Sequence, residues 1–413
     1  MNLHRVAITG MGVVSPLGND VTRFIDRLLA GQSGIGAIRS FDPASLPTRI
    51  AGEAVLPEEA PFGDRKIAFA LEAARQAMFD ASRSGTSPGG AGAAREAAVS
   101  LGVGLELFDM RTLAEMWRHQ VALPAGREAR LAFLQTPADM SVHLISLRYG
   151  LGAPPIAHES ACAAGTDALG LAARLVATGK RRFMIAGGTD SMINPLGVAG
   201  FCALNATSTR NAEPERASRP FDRRRDGFVM GEGAGMLVLE RLSDARARGA
   251  RVHAELLGYG TSLDAHKISD PQPEGRGAFL AMQRALGAAG LSPVDVDAVN
   301  AHGTGTPKND PAETAALKRL FGARAREVPI SATKSMIGHL ISAAGAVEAI
   351  AAVGCMQRGM VHPTLNLDEP DPECDLDYVP HLARKHAQRV VLSSSYGFGG
   401  HNAAIVLGQG DAP

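Results

Sequence analysis

Short apolar segments alternate with helix-like segments along the whole sequence. Residues 6–9 are predicted as a buried strand, Asp20 as the N-cap of a helix over residues 21–29, and residues 98–103 as another apolar strand. A chain that repeats strand and helix in this way folds into layers of helices against sheets. The predicted fold class is therefore α/β. Further strands are predicted at residues 183–186, 236–239, 328–331, 390–393 and 403–407.

Two segments carry small residues on nearly every side of a predicted helix. They are residues 163–176 and 340–353, and both contain Ala-Ala-Gly near the start, at 163–165 and 343–345. Such helices are usually buried between layers. The shared triplet indicates two copies of one unit, although three identities are weak evidence in an Ala-rich chain. We therefore predict two domains, residues 1–250 and 251–413.

Composition excludes several classes of function. The 413 residues include 42 Lys plus Arg and 42 Asp plus Glu, so the chain has no overall attraction to nucleic acid or to an anionic membrane. Glycines interrupt the apolar N-terminus, and no stretch approaches 18 apolar residues, so a cytoplasmic protein without a membrane span is predicted. The four cysteines form no CxxC pair, which favours neither a disulfide framework nor a zinc knuckle.

Cys162 lies where an extended stretch turns directly into the first small-residue segment. The helix dipole and the free N–H groups at such a position favour a thiolate, and the pKa of such thiols falls from ~8.5 to roughly 3.5–7.5. Burial as a small apolar residue is the usual fate of a single cysteine, and it is our interpretation of Cys202, Cys355 and Cys374. For Cys162 the local sequence favours a nucleophile.

Two histidines stand at strand or helix ends beside glycines. His302 begins the stretch His-Gly-Thr-Gly-Thr after an apolar pair, and His339 precedes the second small-residue segment. Loops of this kind line functional sites. No Gly-Lys-Ser/Thr follows His302, so a P-loop is not indicated. Zinc held by Cys162 and both histidines is the less favoured alternative, because their spacings of 140 and 37 residues match no short metal-binding hairpin.

Residues 396–402, Tyr-Gly-Phe-Gly-Gly-His-Asn, join two predicted strands. Three glycines around one aromatic residue allow a tight turn that presents backbone N–H groups, so this loop is a candidate oxyanion hole. An ordinary glycine hairpin explains the loop better when it is taken alone.

Near the N-terminus, Gly10-Met11-Gly12 resembles the start of a dinucleotide-binding fingerprint. Ser15 occupies the position of the third glycine, so a dinucleotide site is not predicted.

These segments, in this order, resemble the elongating beta-ketoacyl-ACP synthases of the thiolase superfamily, among them the type II polyketide ketosynthases; ACP is acyl-carrier protein. The resemblance continues through residues 219–222 and 226–235 and covers nearly the whole chain. It implies a thiolase fold, which is a duplicated five-layer α-β-α-β-α arrangement with Cys162 and His339 at the heads of the two central helices. It also implies decarboxylative condensation of malonyl-ACP with a cysteine-bound acyl chain in fatty acid or polyketide biosynthesis.

The resemblance assigns roles to single residues. It makes Cys162 the nucleophile that takes the acyl group from ACP, whereas His302 and His339 bind the malonyl thioester carbonyl and assist decarboxylation. This division agrees with the chemistry, since loss of carbon dioxide leaves an enolate that two imidazole N–H donors stabilise. The backbone N–H groups of Cys162 and Phe398 are the matching oxyanion donors for acyl transfer, and Gly399 in the same loop is assigned to substrate binding.

Other matches lie around these residues. Lys334 and Glu348 match positions that support the histidines, with a buried ion pair of no chemical role as the alternative. Thr304 and Thr306 match hydroxyls that hold the pantetheine arm. Phe398 is a candidate gate. Phe201 is a candidate wall of the acyl channel, with an ordinary core residue as the alternative. Arg65 and Lys66 are the candidate docking site for ACP, with a solvated helix end as the alternative.

The resemblance implies that no metal or other cofactor takes part, because the substrates are carried on the phosphopantetheine of ACP. It implies a homodimer, or a heterodimer with a chain-length factor. The sequence departs from the family pattern at several positions. Residues 104–135 lack the glycine- and proline-containing loop that the family pattern predicts. Lys267 stands where many members have a histidine, Ser394 where they have an asparagine, and Glu159 is more typical of polyketide enzymes. These departures leave the pathway open.

Related classes fit less well. Degradative thiolases use a second, C-terminal cysteine, and none follows Cys374. Initiating synthases pair one histidine with asparagine, whereas His339 stands at the second position here. Noncatalytic chain-length factors lose the nucleophile, which Cys162 retains. The alternative from another class is a noncatalytic subunit or scaffold of a synthase complex.

Overall fold

The computed structural model of the chain describes residues 3–56, 64–90, 92–104 and 137–410. Within these ranges the strands are β1 (Val6–Val14), β2 (Gly36–Ala37), β3 (Ile50–Gly52), β4 (Ala98–Val103), β5 (Ile156–His158), β6 (Phe183–Asp190), β7 (Met230–Gly231), β8 (Gly233–Arg241), β9 (Ala254–Leu263), β10 (Ala298–Asn300), β11 (Ile330–Ser331), β12 (Met360–Val361), β13 (Arg384–Lys385), β14 (Val390–Gly397) and β15 (His401–Gly408). The α-helices are α1 (Val21–Leu29), α2 (Arg65–Ala81), α3 (Pro137–Tyr149), α4 (Ala164–Ala177), α5 (Pro195–Ala203), α6 (Leu242–Ala247), α7 (Arg276–Ala289), α8 (Asn309–Phe321), α9 (Lys334–Ile337) and α10 (Ala344–Arg358).

Ten strands form one mixed sheet in the order β11-β10-β14-β15-β9-β1-β8-β6-β4-β5. In one half, β1, β8 and β6 are antiparallel neighbours, and β4 and β5 continue parallel to β6. In the other half, β9, β15 and β14 are antiparallel neighbours, and β10 and β11 continue parallel to β14. The same five-stranded unit therefore occurs twice, and the two units meet where Ala7 and Ile8 pair with Glu255 and Ala254.

Helices cover these strands in layers. Helix α2 lies on β1 and β8, and α7 lies on β9 and β15. The two small-residue helices, α4 and α10, contact each other and strands of both halves, so they form the central layer. Gly345 of α10 faces Thr166 of α4, and a Cβ at Gly345 would lie 2.0 Å from the Thr166 hydroxyl oxygen. The predicted burial of both helices between layers is confirmed, as is the duplicated α/β fold.

The glycines of the first strand mark close packing and not a nucleotide site. Strand β1 runs from Val6 to Val14 and so continues through Gly10 and Gly12, beyond the predicted residues 6–9. A Cβ at Gly10 would lie 2.1 Å from the Ala77 carbonyl oxygen, and one at Gly12 would lie 2.0 Å from that of Ala73. Helix α2 therefore presses directly on the strand, and only glycine leaves room for it.

Several predicted bounds are confirmed and others shift. Helix α1 spans the predicted residues, and the Asp20 side chain caps it by accepting the Arg23 N–H. Strands β6, β8 and β14 are longer than predicted, whereas β11 is shorter. The predicted helix over residues 340–353 begins as a 3₁₀ turn, Ile341–Ala343, before α10. The divergent segment at residues 104–135 lies, apart from Gly104, outside the described residues.

No helix in the described part of the chain is long and apolar enough to cross a membrane.

Candidate active site

Cys162 occupies the middle of a strained turn between β5 and α4. The turn is the 3₁₀ helix Ala161–Ala163, and Ala161 has a positive φ of 49° although it is not glycine. Residues with side chains avoid this region, so surrounding contacts must hold it. The Cys162 side chain is buried, with 5% exposed. The predicted strand, turn and helix around the thiol are thus present.

The electrostatic prediction for Cys162 is wrong. Burial raises the pKa of the thiol to about 12, and the charge of Lys334 with the N–H of Phe398 lowers it only in part. Desolvation of a thiolate outweighs these favourable interactions because the whole side chain lies in an apolar environment. The resting protein therefore holds a neutral thiol near pH 7, not the thiolate expected from a helix N-terminus.

His302 leaves the end of β10 on a loop fixed by an acidic side chain. The N–H groups of His302 and Gly303 donate to the two Glu313 carboxylate oxygens, both at 2.8 Å. Glu313 is buried in α8, and this burial raises its pKa to about 7. The Lys334 ammonium lies 3.2 Å from His302 Nδ1. Because an ammonium only donates, Nδ1 accepts and the proton of the neutral ring sits on Nε2.

His339 is held in the same tautomer by a backbone group. The Ile341 N–H donates to His339 Nδ1 at 3.1 Å, so the neutral His339 ring also carries its proton on Nε2. The ring centroids of His302 and His339 lie 5.2 Å apart, edge to face. Burial, followed by the charge of Lys334, holds the pKa of both histidines well below the usual range. Both imidazoles are neutral N–H donors near pH 7.

Lys334 and Glu348 form a buried ion pair with Nζ and Oε1 2.6 Å apart. The Lys334 ammonium also donates to the His302 carbonyl oxygen at 2.7 Å. Burial raises the pKa of Glu348 to about 7, against the opposing attraction of Lys334. Lys334 thus contacts His302 at two atoms, Nδ1 and the carbonyl oxygen, and Glu348 contacts Lys334.

The glycine loop brings Phe398 close to the turn Ala161–Ala163, which carries Cys162. A Cβ at Gly397 would lie 2.8 Å from the Ser160 carbonyl oxygen and 3.1 Å from the Cys162 nitrogen, so only glycine allows this approach. The Phe398 N–H is hydrogen-bonded to the Cys162 sulfur. Gly399, with φ of 80°, donates its own N–H to the Ile268 carbonyl oxygen at 2.7 Å. That N–H has a partner within the protein and is not directed to a substrate.

An apolar cluster surrounds the thiol. It contains Cys162, Met192, Phe201, Phe228 and Ile341 among its buried members, with Phe398 packed against it. The Phe201 ring lies 5.5 Å from the Phe228 ring and 6.3 Å from the Phe398 ring. The Phe228 ring in turn meets His339 edge-on at 5.2 Å. Phe228 therefore connects the histidines with the apolar wall beside the thiol.

The hydroxyls of Thr304 and Thr306 lie 3.0 Å apart on the loop after His302. Asp310, which is buried, accepts the Gly305 N–H at 3.2 Å and lies 3.5 Å from the Thr304 hydroxyl. Thr304 is 5% exposed and Thr306 is half-buried. Hydrogen bonds within the loop and to Asp310 thus hold the two hydroxyls next to each other, and their role in binding pantetheine stays a prediction.

The predicted docking pair does not lie on the surface as a pair. Lys66 is 1% exposed, and its ammonium lies 3.3 Å from an Asp64 carboxylate oxygen. The Arg65 guanidinium is 2.6 Å from buried Glu232, with 37% of the side chain exposed. The start of α2 packs into the protein, which sequence periodicity did not reveal. The docking assignment of Lys66 is therefore withdrawn, and that of Arg65 remains a prediction.

Three acidic residues of the site were not predicted from the sequence. Glu313 holds the His302 loop, Asp167 contacts Ser160 two residues before Cys162, and Asp190 accepts the Ser342 hydroxyl at 2.6 Å. For Glu313 an available signal was a carboxylate at helical spacing from the apolar residues Ala316, Leu317 and Leu320. Among the described residues, no three His, Cys, Asp or Glu side chains are grouped to hold a metal ion.

Comparisons with known proteins agree with this geometry. The family model "Beta-ketoacyl synthase, N-terminal domain" matches residues 3–245, and "Beta-ketoacyl synthase, C-terminal domain" matches residues 253–368. The chain is 42% identical over 419 residues to 3-oxoacyl-[acyl-carrier-protein] synthase 2 of Coxiella burnetii, covering 99% of both chains.

Two solved structures are similar over nearly their whole length. One is a type II polyketide ketosynthase in complex with its acyl-carrier protein, with a TM-score of 0.88, 32% identity and coverage of 98% of this chain and 100% of that one. The other is the ishigamide ketosynthase/chain length factor, with a TM-score of 0.86, 34% identity and coverage of 98% and 99%. This chain therefore belongs to the beta-ketoacyl synthase family.

Proposed function

We propose that this protein is a beta-ketoacyl-ACP synthase that joins a malonyl unit to an acyl chain carried on Cys162. The observation that carries this proposal is the pair of neutral imidazoles, His302 and His339, whose Nε2–H donors share a buried site with a thiol. A malonyl thioester that loses carbon dioxide develops charge on its carbonyl oxygen, and fixed donors in a dry site stabilise that charge. Lys334 acts electrostatically on all three side chains, which supports their placement in one site.

In the first half-reaction, the Cys162 sulfur bonds to the carbonyl carbon of an acyl thioester. The C–S bond to pantetheine then breaks, and the thiol proton ends on the released pantetheine thiol. The N–H groups of Cys162 and Phe398 stabilise the oxyanion of the tetrahedral intermediate. The high pKa of the thiol means that attack and proton loss are coupled, because little free thiolate exists beforehand.

In the second half-reaction, the bond between the malonyl methylene and its carboxylate breaks. Its electron pair forms an enolate, whose oxygen accepts hydrogen bonds from His302 and His339, and carbon dioxide leaves. The enolate carbon then bonds to the acyl carbonyl carbon, and the C–S bond to Cys162 breaks. The product is a β-ketoacyl thioester two carbons longer, and the Cys162 thiolate takes up a proton from solvent.

Phe398 is the proposed gate to the acyl channel. Its neighbours Gly397 and Gly399 permit backbone change, and its ring packs against the apolar cluster that contains Cys162 and Phe201. An acyl chain that passes the thiol must displace the Phe398 ring, and its return closes the site before malonate binds. Phe201, which is 7% exposed, is the proposed wall of the channel.

The substrates are proposed to arrive on the phosphopantetheine of ACP, held by Thr304 and Thr306, without a cofactor or metal. We also propose a cytosolic dimer, with a second copy or with a chain-length factor, and a division of the chain at residues 250 and 251. One similar structure contains an acyl-carrier protein and another a chain length factor, which supports both kinds of partner. Fatty acid and polyketide pathways fit equally well.

Intact-protein mass spectrometry tests this function. Incubation with acyl-ACP should add one acyl mass to the protein, and peptide mapping should place it on Cys162. Addition of malonyl-ACP should then remove the acyl mass and yield a β-ketoacyl product two carbons longer. Cys202→Ala is the matched control, since Cys202 packs against the same apolar cluster, and it should leave acylation intact.

The competing interpretation is a noncatalytic scaffold with this fold. Failure of several acyl-ACP chain lengths to acylate a folded protein would favour the scaffold. Alkylation by iodoacetamide at neutral pH separates the two poorly, because burial keeps the thiol protonated in either case.

A further inference from the structure

A hydrogen-bonded chain of three side chains reaches the Cys162 turn, Ala161–Ala163, from the other half of the molecule. The Tyr259 hydroxyl, on β9, donates to Asp167 Oδ1 at 2.7 Å. Asp167, in the first turn of α4, accepts the Ser160 hydroxyl on its other oxygen. Ser160 directly precedes Ala161, the residue with positive φ, and stands two residues before Cys162. The chain therefore ends at the strained part of the turn.

The turn needs such a support. A positive φ at a residue with a Cβ costs on the order of 1–3 kcal/mol and persists only where the surroundings impose it. The Ser160 carbonyl oxygen accepts the Ala163 N–H at 3.0 Å and lies against Gly397. Movement of Ser160 would thus shift the Cys162 sulfur and N–H relative to the loop that supplies the Phe398 N–H.

The protein is built to bring Tyr259 to this place. Gly170 of α4 faces the Tyr259 ring, and a Cβ there would lie 2.1 Å from a ring carbon. Tyr259 pairs with Ile405 of β15, the strand that begins directly after the glycine loop. Burial, and then the charge of Asp167, raise the pKa of Tyr259, so its hydroxyl stays protonated and donates. One strand pair thus carries both the Tyr259 hydroxyl and the end of the Phe398 loop.

We infer that Tyr259 and Asp167 are positioning residues for acyl transfer: through Ser160 they fix the Cys162 turn against the Phe398 loop, so that sulfur and oxyanion donors are aligned. Neither residue touches the substrate. The inference rests on the proposed function, and it concerns acylation alone, since His302 and His339 are held by Glu313, Lys334 and Ile341 instead.

Tyr259→Phe is the main test, because it keeps the ring and removes only the hydroxyl. We expect the rate constant for acylation of Cys162 by acyl-ACP to fall about 10-fold to 100-fold, since a misplacement of 1 Å costs about 10²-fold. KM for acyl-ACP and the decarboxylation of malonyl-ACP should stay within about twofold of wild type. Tyr149→Phe is the matched control, as it removes another half-buried phenol hydroxyl from α3, which contacts α2, β4 and β5.

A double-mutant cycle tests the route through Ser160. If Tyr259 acts through Asp167 and Ser160, Tyr259→Phe should change acylation little in a Ser160→Ala background. An effect of equal size in both backgrounds would overturn the route. Unchanged acylation in Tyr259→Phe, or equal losses in both half-reactions, would overturn the inference. Should Tyr259→Phe fail to fold, the same comparison of half-reactions in Ser160→Ala decides. Absence of acylation in the wild type would instead refute the proposed function.

Discussion

The same backbone turn occurs in both halves of the molecule with a different side chain at its second position. The 3₁₀ turns Ala161–Ala163 and Ile341–Ala343 each begin with a residue of positive φ, 49° and 46°, and each leads into a central helix. The second residue is Cys162 in one turn and Ser342 in the other. The duplicated fold thus contains the same backbone turn twice, and the two copies differ in the side chain at the second position.

The surroundings of the two second residues differ sharply. Cys162 faces an apolar cluster and the Phe398 N–H. Ser342 is fully buried, and its hydroxyl donates to Asp190 at 2.6 Å and lies 2.7 Å from the Thr189 carbonyl oxygen. In the second half, His339 precedes the turn, and its Nδ1 accepts the Ile341 N–H of the turn. The first turn therefore presents its second side chain to the apolar cluster, whereas the second turn orients the histidine that precedes it.

The largest expected effect is on acyl transfer, which should depend on the second residue of the first turn and not on that of the second turn. Cys162→Ala should abolish acyl transfer, by roughly 10³-fold or more, because the nucleophile is lost. Ser342→Ala should keep acylation within about tenfold of wild type, because the Ser342 hydroxyl is turned toward Asp190. Mass spectrometry of both variants after incubation with acyl-ACP measures this. Residual acylation of Cys162→Ala would contradict the assignment of the nucleophile.

Changes at the histidines should produce the opposite selectivity. His302→Ala and His339→Ala should each slow decarboxylation of malonyl-ACP by about 10²–10³-fold, the usual cost of one lost oxyanion donor. Acylation of Cys162 should fall much less, since its oxyanion is held by backbone N–H groups. Release of carbon dioxide and protein acylation are followed separately. Equal losses in both would show that the division of labour is wrong.

The pH dependence of alkylation tests whether burial or the helix N-terminus dominates at Cys162. With the pKa raised to about 12, the thiol is protonated from pH 7 to 9, so the thiolate fraction and the iodoacetamide rate should rise about tenfold per pH unit. A pKa lowered by the helix N-terminus would give a rate that levels off in this range. The rate is measured on the Cys162 peptide, with Cys162→Ala as the background control.

The smallest expected effect concerns the stability of the second turn. Ser342→Ala removes one donor to buried Asp190, which keeps the N–H groups of Ser342 and Met192 as partners. It should lower the free energy of unfolding by about 1 kcal/mol, the usual net contribution of one hydrogen bond. Urea unfolding measures the change. Ser45→Ala, at an exposed serine, is the control and should stay within about 0.5 kcal/mol. A Ser342 variant as stable as this control would mean that the contact with Asp190 contributes nothing.

Local patterns predicted the parts of the fold and site that depend on neighbours in sequence. The Asp20 cap and the strand–turn–helix around Cys162 are of this kind. Burial is not local, so the thiol pKa and the accessibility of Lys66 were predicted wrongly. Contacts between Tyr259 and Asp167 span 92 residues, and those between Ser342 and Asp190 span 152, so no local pattern reveals them.

Motifs in the sequence predicted the candidate catalytic residues, and the structure shows which side chains hold them in place. His302 is fixed by Glu313 from the following helix and by Lys334 from the next strand end. These partners meet only after β10 and β11 pair side by side. The sequence therefore predicts which groups react, whereas their tautomers and protonation states follow from tertiary packing.

The fixed tautomers of His302 and His339 have a consequence for molecules that would occupy the site. Both rings present an Nε2–H, and each of these two donors is satisfied by an oxygen lone pair. A compound with two well-placed carbonyl or anionic oxygens satisfies them, whereas an amine or a methyl group at the same points leaves buried donors unpaired at about 1–3 kcal/mol each. Inhibitors of this protein should therefore be selected as hydrogen-bond acceptors, and screening libraries rich in cationic amines should yield few.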